Sequence, residues 1–186
     1  MRFLLALFFT IILVSCNNDI IIKPKAQLRL DYSKANYKDF NSDCFYKFQK
    51  NERAILKKKR NCGVNLHYPK MNATLYLTYQ DVNESNLDSL LRDAQKLTYD
   101  HAIKAESIPE QPFVNPDHNV YGMFYMINGD AATQAQFYAT DSVRHFITGA
   151  LYFEAKPNFD SLYPAVVYLR NDIRRIMETL EWESEE

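Results

Sequence analysis

The sequence is short of glycine, tryptophan and cysteine, with 4, 1 and 3 residues of each among 186. No glycine-rich phosphate loop occurs, and no Gly-x-Ser-x-Gly elbow. The three cysteines form no paired-cysteine metal motif. Charge of one sign is missing as well. Lys and Arg number 22, Asp and Glu 23, and the net charge is −1. A dedicated nucleic-acid binder would be basic overall or carry a long basic stripe, so that class is excluded. After the N-terminal run, no stretch approaches the ~18 apolar residues of a membrane-spanning helix.

What is present begins at the N-terminus. Arg2 precedes Phe3–Val14, in which only Thr10 is polar. Such a run makes about 18 Å of helix, too short for a hydrocarbon core of about 30 Å. One basic residue, a short apolar run and a small residue before a cut describe a secretory signal. Here the cut falls before Cys16. Leu13-Val14-Ser15-Cys16 is a bacterial lipobox pattern, so Met1–Ser15 is expected to be removed and Cys16 to carry a diacylglyceryl group and further acylation such as palmitate. Several acyl chains hold a protein firmly, at about 0.8 kcal/mol per buried methylene. The expected partner of this end is a lipid bilayer. Residues 16–25 form a tether reaching at most about 35 Å. Within it, Ile20-Ile21-Ile22 suits an edge strand better than contact with lipid. Residues 26–186 are expected to form one domain.

With Cys16 acylated, Cys44 and Cys62 remain, and an exported chain meets an oxidising compartment. A Cys44–Cys62 disulfide is expected. Between them lie Lys47, Lys50, Arg53, Lys57, Lys58, Lys59 and Arg60 against the single acid Glu52. The pattern suggests a hairpin with its tip near Gln49–Arg53. It suits either phosphate headgroups, lipopolysaccharide or an acidic partner, or a solvated edge hairpin whose charges prevent strand addition.

Thirteen Tyr and twelve Phe suit half-buried sheet faces. Alternation predicts strands at Ala26–Tyr32, Val64–Tyr68, Ala73–Asp81, Tyr121–Asn128, Thr133–Thr140 and His145–Glu154. A helix capped by Ser85, with Asp88 in its first turn, carries Leu87, Leu90, Leu91, Ala94, Leu97 and Ala102 on one stripe and ends between His101 and Glu106. A second starts at Asp160 or Ser161 and runs to about Trp182, with Leu162, Ala165, Val166, Leu169, Ile173, Ile176, Met177 and Leu180 as its stripe. Ser107–Asn119, with Pro109, Pro112 and Pro116, reads as an extended loop or a lid. Phe113 and Asn115 in it are candidate partner contacts, while Phe113 and Val114 could equally pin it to the core. The later strands are apolar on both faces, so both need cover. The expected fold is α+β, an antiparallel sheet covered by helices on both faces; by analogy of element order, this α-β-α sandwich resembles the Mog1/PsbP-like architecture.

Chemistry is thinly marked. Asp141, Ser142 and His145 lie together and resemble acid, nucleophile and base. A turn gathers Asp and Ser for a plainer reason, because their side chains bond their own backbone. Tyr99-Asp100-His101 reads as a helix-end cluster. Asp88-Ser89-Leu90, Asp141-Ser142-Val143 and Asp160-Ser161-Leu162 fit an Asp-Ser-apolar O-glycosylation sequon at Ser89, Ser142 and Ser161. No catalytic residue, cofactor or metal is expected.

Several strings together carry a family resemblance: Ala73-Thr-Leu-Tyr-Leu-Thr-Tyr79, Asn86-Leu-Asp-Ser-Leu-Leu91, Lys96-Leu-Thr-Tyr99, Pro112-Phe-Val-Asn-Pro116, Gln134-Ala-Gln-Phe-Tyr138, Thr140-Asp-Ser142, Gly149-Ala-Leu-Tyr-Phe153 and Met177-Glu-Thr-Leu180. In this order they resemble the gliding-motility lipoprotein GldD family of Bacteroidetes, over essentially the whole mature chain. The resemblance implies an envelope lipoprotein required for gliding and associated with the type IX secretion machinery, without an established enzyme activity. Its partners would be other gliding or secretion envelope proteins. Asn17-Asn18-Asp19 holds one acid, which favours the outer membrane with the domain facing the periplasm. The competing expectation is a periplasmic enzyme or ligand carrier acting on cell-wall or lipid substrates.

Overall fold

The computed structural model of the chain describes residues 30–42 and 44–183. The signal Met1–Ser15, Cys16, the tether and residues 26–29 lie outside the described residues. Leu30–Tyr32, the described end of the strand expected at Ala26–Tyr32, are irregular instead. Twelve strands and two α-helices follow: β1 (Tyr37–Asn41), β2 (Tyr46–Asn51), β3 (Ile55–Lys58), β4 (Val64–Tyr68), β5 (Ala73–Asp81), α1 (Leu87–Asp100), β6 (Ala105–Ser107), β7 (Glu110–Asn115), β8 (Val120–Met126), β9 (Asn128–Gly129), β10 (Ala135–Thr140), β11 (His145–Phe153), α2 (Phe159–Thr179) and β12 (Glu181–Trp182). Seven strands form the main sheet in the order β3-β4-β5-β11-β10-β8-β7, and three form a smaller one, β1-β2-β12. Every pairing is antiparallel. The fold is therefore α+β. Among the described residues no helix is long and apolar enough to cross a membrane.

Alternation along the central strands divides the core. Ala135, Phe137 and Ala139 of β10 pack with Leu75, Leu77, Ile147 and Leu151, and with Leu169, Ile173, Ile176 and Met177 of α2. Tyr138 and Phe146 point the other way by the two-residue period. They join Leu87, Leu90, Leu91 and Ala94 of α1 in a second, smaller cluster. Gly149 makes the first packing possible: a Cβ there would sit 2.0 Å from the Phe137 ring.

The expected hairpin with its tip near Gln49–Arg53 does not form. β2 pairs with β1 and β12, while β3 pairs with β4, so the chain changes sheets between Asn51 and Ile55. Burial drives the change. Lys50 and Asn51 are 6% and 1% exposed, and the Lys50 ammonium donates to the Asn51 and Ala54 carbonyls at 3.2 and 2.9 Å. Lys57–Arg60 stand instead on a β3–β4 hairpin that turns at 59–63, where the Lys59 amide donates to the Gly63 carbonyl at 2.8 Å.

The proline-bearing stretch is likewise not a lid: Glu110–Asn115 is the edge strand β7. Pro112 lacks a donor, which an edge strand tolerates. Helix α1 begins at Leu87, and the Asn86 carbonyl accepts its first bond from Leu90, one residue past the expected Ser85 cap. Helix α2 begins at Phe159, capped by the Asn158 side chain, which accepts from the Ser161 amide at 3.3 Å. It stops at Thr179; Leu180 turns extended and Glu181–Trp182 pair with β2 rather than continuing the helix.

Cys44 and Cys62, 18 residues apart, form a disulfide with Cα atoms 5.7 Å apart. It ties the lead-in to β2 to the β3–β4 turn and so joins the two sheets. Cys44→Ser is expected to lower the free energy of unfolding by roughly 3 kcal/mol on the chain-entropy account; reductant should then shift the urea midpoint of the parent but not of the variant. Gly149→Ala should cost about 1–3 kcal/mol through the displaced Phe137 ring, read as a lower urea midpoint at unchanged slope.

Candidate functional site

The Asp141–His145 constellation is a turn. One Asp141 carboxylate oxygen accepts from the Val143, Arg144 and His145 amides at 2.9, 2.8 and 2.8 Å. Burial pushes the Asp141 pKa up, but the three backbone donors outweigh it and the net shift is downward. Ser142 is exposed in the left-handed region at φ 65°, the conformation the turn imposes. His145 is buried. Its Nδ1 lies 2.8 Å from the Tyr79 hydroxyl, and its ring stacks on Trp182 with centroids 5.1 Å apart. The carboxylate is thus committed to the backbone of the turn, and the imidazole is packed in an aromatic surround. Because Asp141 has a lowered folded pKa, its contribution is present above the ordinary aspartate range and is lost as pH falls through the folded value. Asp141→Ala is expected to cost about 1–2 kcal/mol at neutral pH, and the gap between parent and variant in denaturant melts should close under strongly acidic conditions.

The basic cluster is displayed on a frame. Lys57 and Lys58 end the edge strand β3, and Lys59 and Arg60 begin the turn; all four are exposed. Lys57, Lys59 and Arg60 form no ion pair among the described residues. Asn61 and Cys62 follow in the left-handed region at φ 55° and 59°, and the Cys62 carbonyl accepts from the buried Tyr46 hydroxyl at 2.5 Å. The turn is therefore anchored at its base by a disulfide and a hydrogen bond while its cations face solvent.

Phe113 and Asn115 sit on β7 at the opposite edge of the main sheet, so the structure does not bring them to Lys57–Arg60. Phe113 is half-buried against the core, and Asn115 leads into a 3-10 turn. Ser142 and Ser161 are exposed; Ser89 is half-buried and its hydroxyl donates to the Asn86 carbonyl at 2.7 Å. The Tyr99 hydroxyl donates to Glu110. Among the described residues no group of three His, Cys, Asp or Glu side chains could hold a metal.

A buried polar cluster escaped the sequence reading. Asp172, 2% exposed, accepts from the Tyr37 hydroxyl and the Asn51 amide, each at 2.8 Å. Asn51 also donates to the Tyr168 hydroxyl at 2.9 Å. Burial raises the Asp172 pKa above the ordinary range, against the lowering effect of these donors. Arg170, also buried, donates to the Ile127 and Gln134 carbonyls at 2.9 Å, and burial lowers its pKa to about 10. Above the Asp172 cluster opens a cleft of about 470 Å³, walled by Tyr32, Tyr68, Met71 and Tyr168, with Arg53 and Lys70 among its lining residues. The signal was present in the sequence: Asp172 lies three residues after Leu169 and beside Ile173, inside an apolar stripe, where a charge needs partners.

A family model described as gliding motility lipoprotein GldD matches residues 17–182, which spans both the hairpin and the polar cluster. No curated protein and no solved structure matches the chain. The matched span covers nearly all of the sequence, and the chain belongs to the gliding motility lipoprotein GldD family.

Proposed function

We propose that this envelope lipoprotein, whose family implies a role in gliding motility, acts as a non-catalytic docking factor. Lipid on Cys16 holds it at the outer membrane facing the periplasm, and it engages an acidic protein of the gliding and type IX secretion machinery. The observation that carries this reading is the run Lys57–Arg60: four consecutive exposed cations on a hairpin braced at its base. Bracing matters because a charge patch of fixed shape loses little conformational freedom on binding. Patches of one sign steer association and set partner choice more than they add raw affinity. The two clusters of the core support an architecture with one helix on each face of the main sheet, the sandwich to which the Mog1/PsbP-like analogy refers.

A second reading, a carrier of a lipid or cell-wall ligand, is favoured by the cleft above Asp172, where aromatic and methionine walls lie near two cationic side chains. The Asp141–His145 turn gives no support to an enzyme.

Reversing Lys57, Lys59 and Arg60 to Glu should weaken partner association by about tenfold to a hundredfold at low ionic strength and abolish colony spreading, with the urea midpoint unchanged. Crosslinking from intact envelopes measures the first effect. Unaltered spreading and partner recovery in the folded variant would remove the hairpin from this role.

A further inference from the structure

Between α1 and the main sheet lies a groove of about 180 Å³, separate from the hairpin and from the cleft above Asp172. Tyr76, Tyr125, Tyr138 and Tyr152 wall it, with Leu97 and Gln136 beside them. The rings are held in place. Tyr76 and Tyr152 meet edge to face with centroids 5.7 Å apart, and Tyr138 stacks on Phe146 at 5.7 Å. The hydroxyls of Tyr76, Tyr125 and Tyr138 have no hydrogen-bond partner among the described residues. Gln136 is 3% exposed; its Oε1 accepts from the Thr98 hydroxyl at 2.8 Å and its Nε2 has no partner. Exchanging the two ends of the amide does not remove the vacancy, since one Thr98 hydroxyl, also 3.1 Å from the Ala94 carbonyl, answers only one of them.

We propose that this groove binds the ring of a neutral saccharide. The groove is less than half the volume of the cleft above Asp172, a size that suits a single ring better than an acyl chain or a folded peptide segment. The C–H face of such a ring packs on aromatic faces, whose electron-rich centres attract the positively polarised hydrogens. Its hydroxyls both donate and accept, which is what three tyrosine hydroxyls and a half-paired amide ask for. Among the described residues no charged side chain lines the groove, and the nearby Glu110 carboxylate opposes anions. A quaternary ammonium would suit the aromatic faces but would leave the Gln136 N–H without an acceptor.

The test uses the full lipidated chain in a detergent without sugar headgroups, titrated with glucose, N-acetylglucosamine, choline and sialic acid. Saturation-transfer NMR reports contact and calorimetry reports affinity. A neutral sugar should bind, choline and sialic acid should not, and Tyr76→Ala and Gln136→Leu should each weaken binding by about tenfold. Tyr76 is 40% exposed, so its truncation keeps the test valid if the buried Gln136→Leu variant fails to fold. The proposal is overturned by choline binding in place of sugar, by no sugar contact at millimolar concentrations, or by sugar binding that Tyr76→Ala leaves unchanged. The Lys57–Arg60 reversal should leave sugar binding intact, which separates failure here from failure of the docking role.

Discussion

The packing of α2 on one face of the main sheet is the interaction on which the rest depends. Leu169, Ile173, Ile176, Met177 and Leu180 are each 2% exposed or less. Burying a side chain of this kind contributes about 1.5–3 kcal/mol. The gain requires close fit, and the absent side chain of Gly149 supplies it by admitting the Phe137 ring. The smaller sheet hangs on the same helix. Where α2 stops, Leu180 is buried and turned extended, which brings Glu181 and Trp182 alongside β2. Trp182 then closes over His145. The Lys47–Glu181 pair at 2.9 Å is half-exposed, so it adds little beside this burial.

Groups that could do chemistry are used to hold this arrangement. Asp141 organises the β10–β11 turn, His145 fills an aromatic cage, Asp172 ties β1 and β2 to α2, and Arg170 secures the carbonyls around β9. Asp141 and Arg170 satisfy backbone groups that would otherwise lack partners, while Asp172 and His145 meet polar side chains. Two other features lie away from this framework. The cationic hairpin occupies one edge of the main sheet, and the tyrosine groove lies between α1 and that sheet. The proposed docking and ligand roles would thus use separate surfaces.

Much of this was legible in the sequence. The stripes of α1 and α2 and the alternation in β5, β10 and β11 are local patterns, and a local period reports which residues share a face. The two cysteines that remain after Cys16 left one intramolecular pairing. Where the reading went astray, a local signal met a distant partner. Three prolines made 107–119 resemble a loop, yet β8 offered an edge on which Pro112 needs no donor. The run from Tyr46 to Leu56 resembled one hairpin, yet its halves entered different sheets.

The sequence by itself determined the two helices, the central strands β5, β10 and β11, and the apolar character of both faces of those strands, because these rest on spacings of two to four residues. Tertiary structure alone decided the order of strands, the site of the basic turn, and the partners of Asp172, whose bonds to Tyr37 and Asn51 span 135 and 121 residues. The physical reason is that a buried polar group or an unpaired strand edge states a need without naming its answer; close packing selects the answer from whatever the fold brings near.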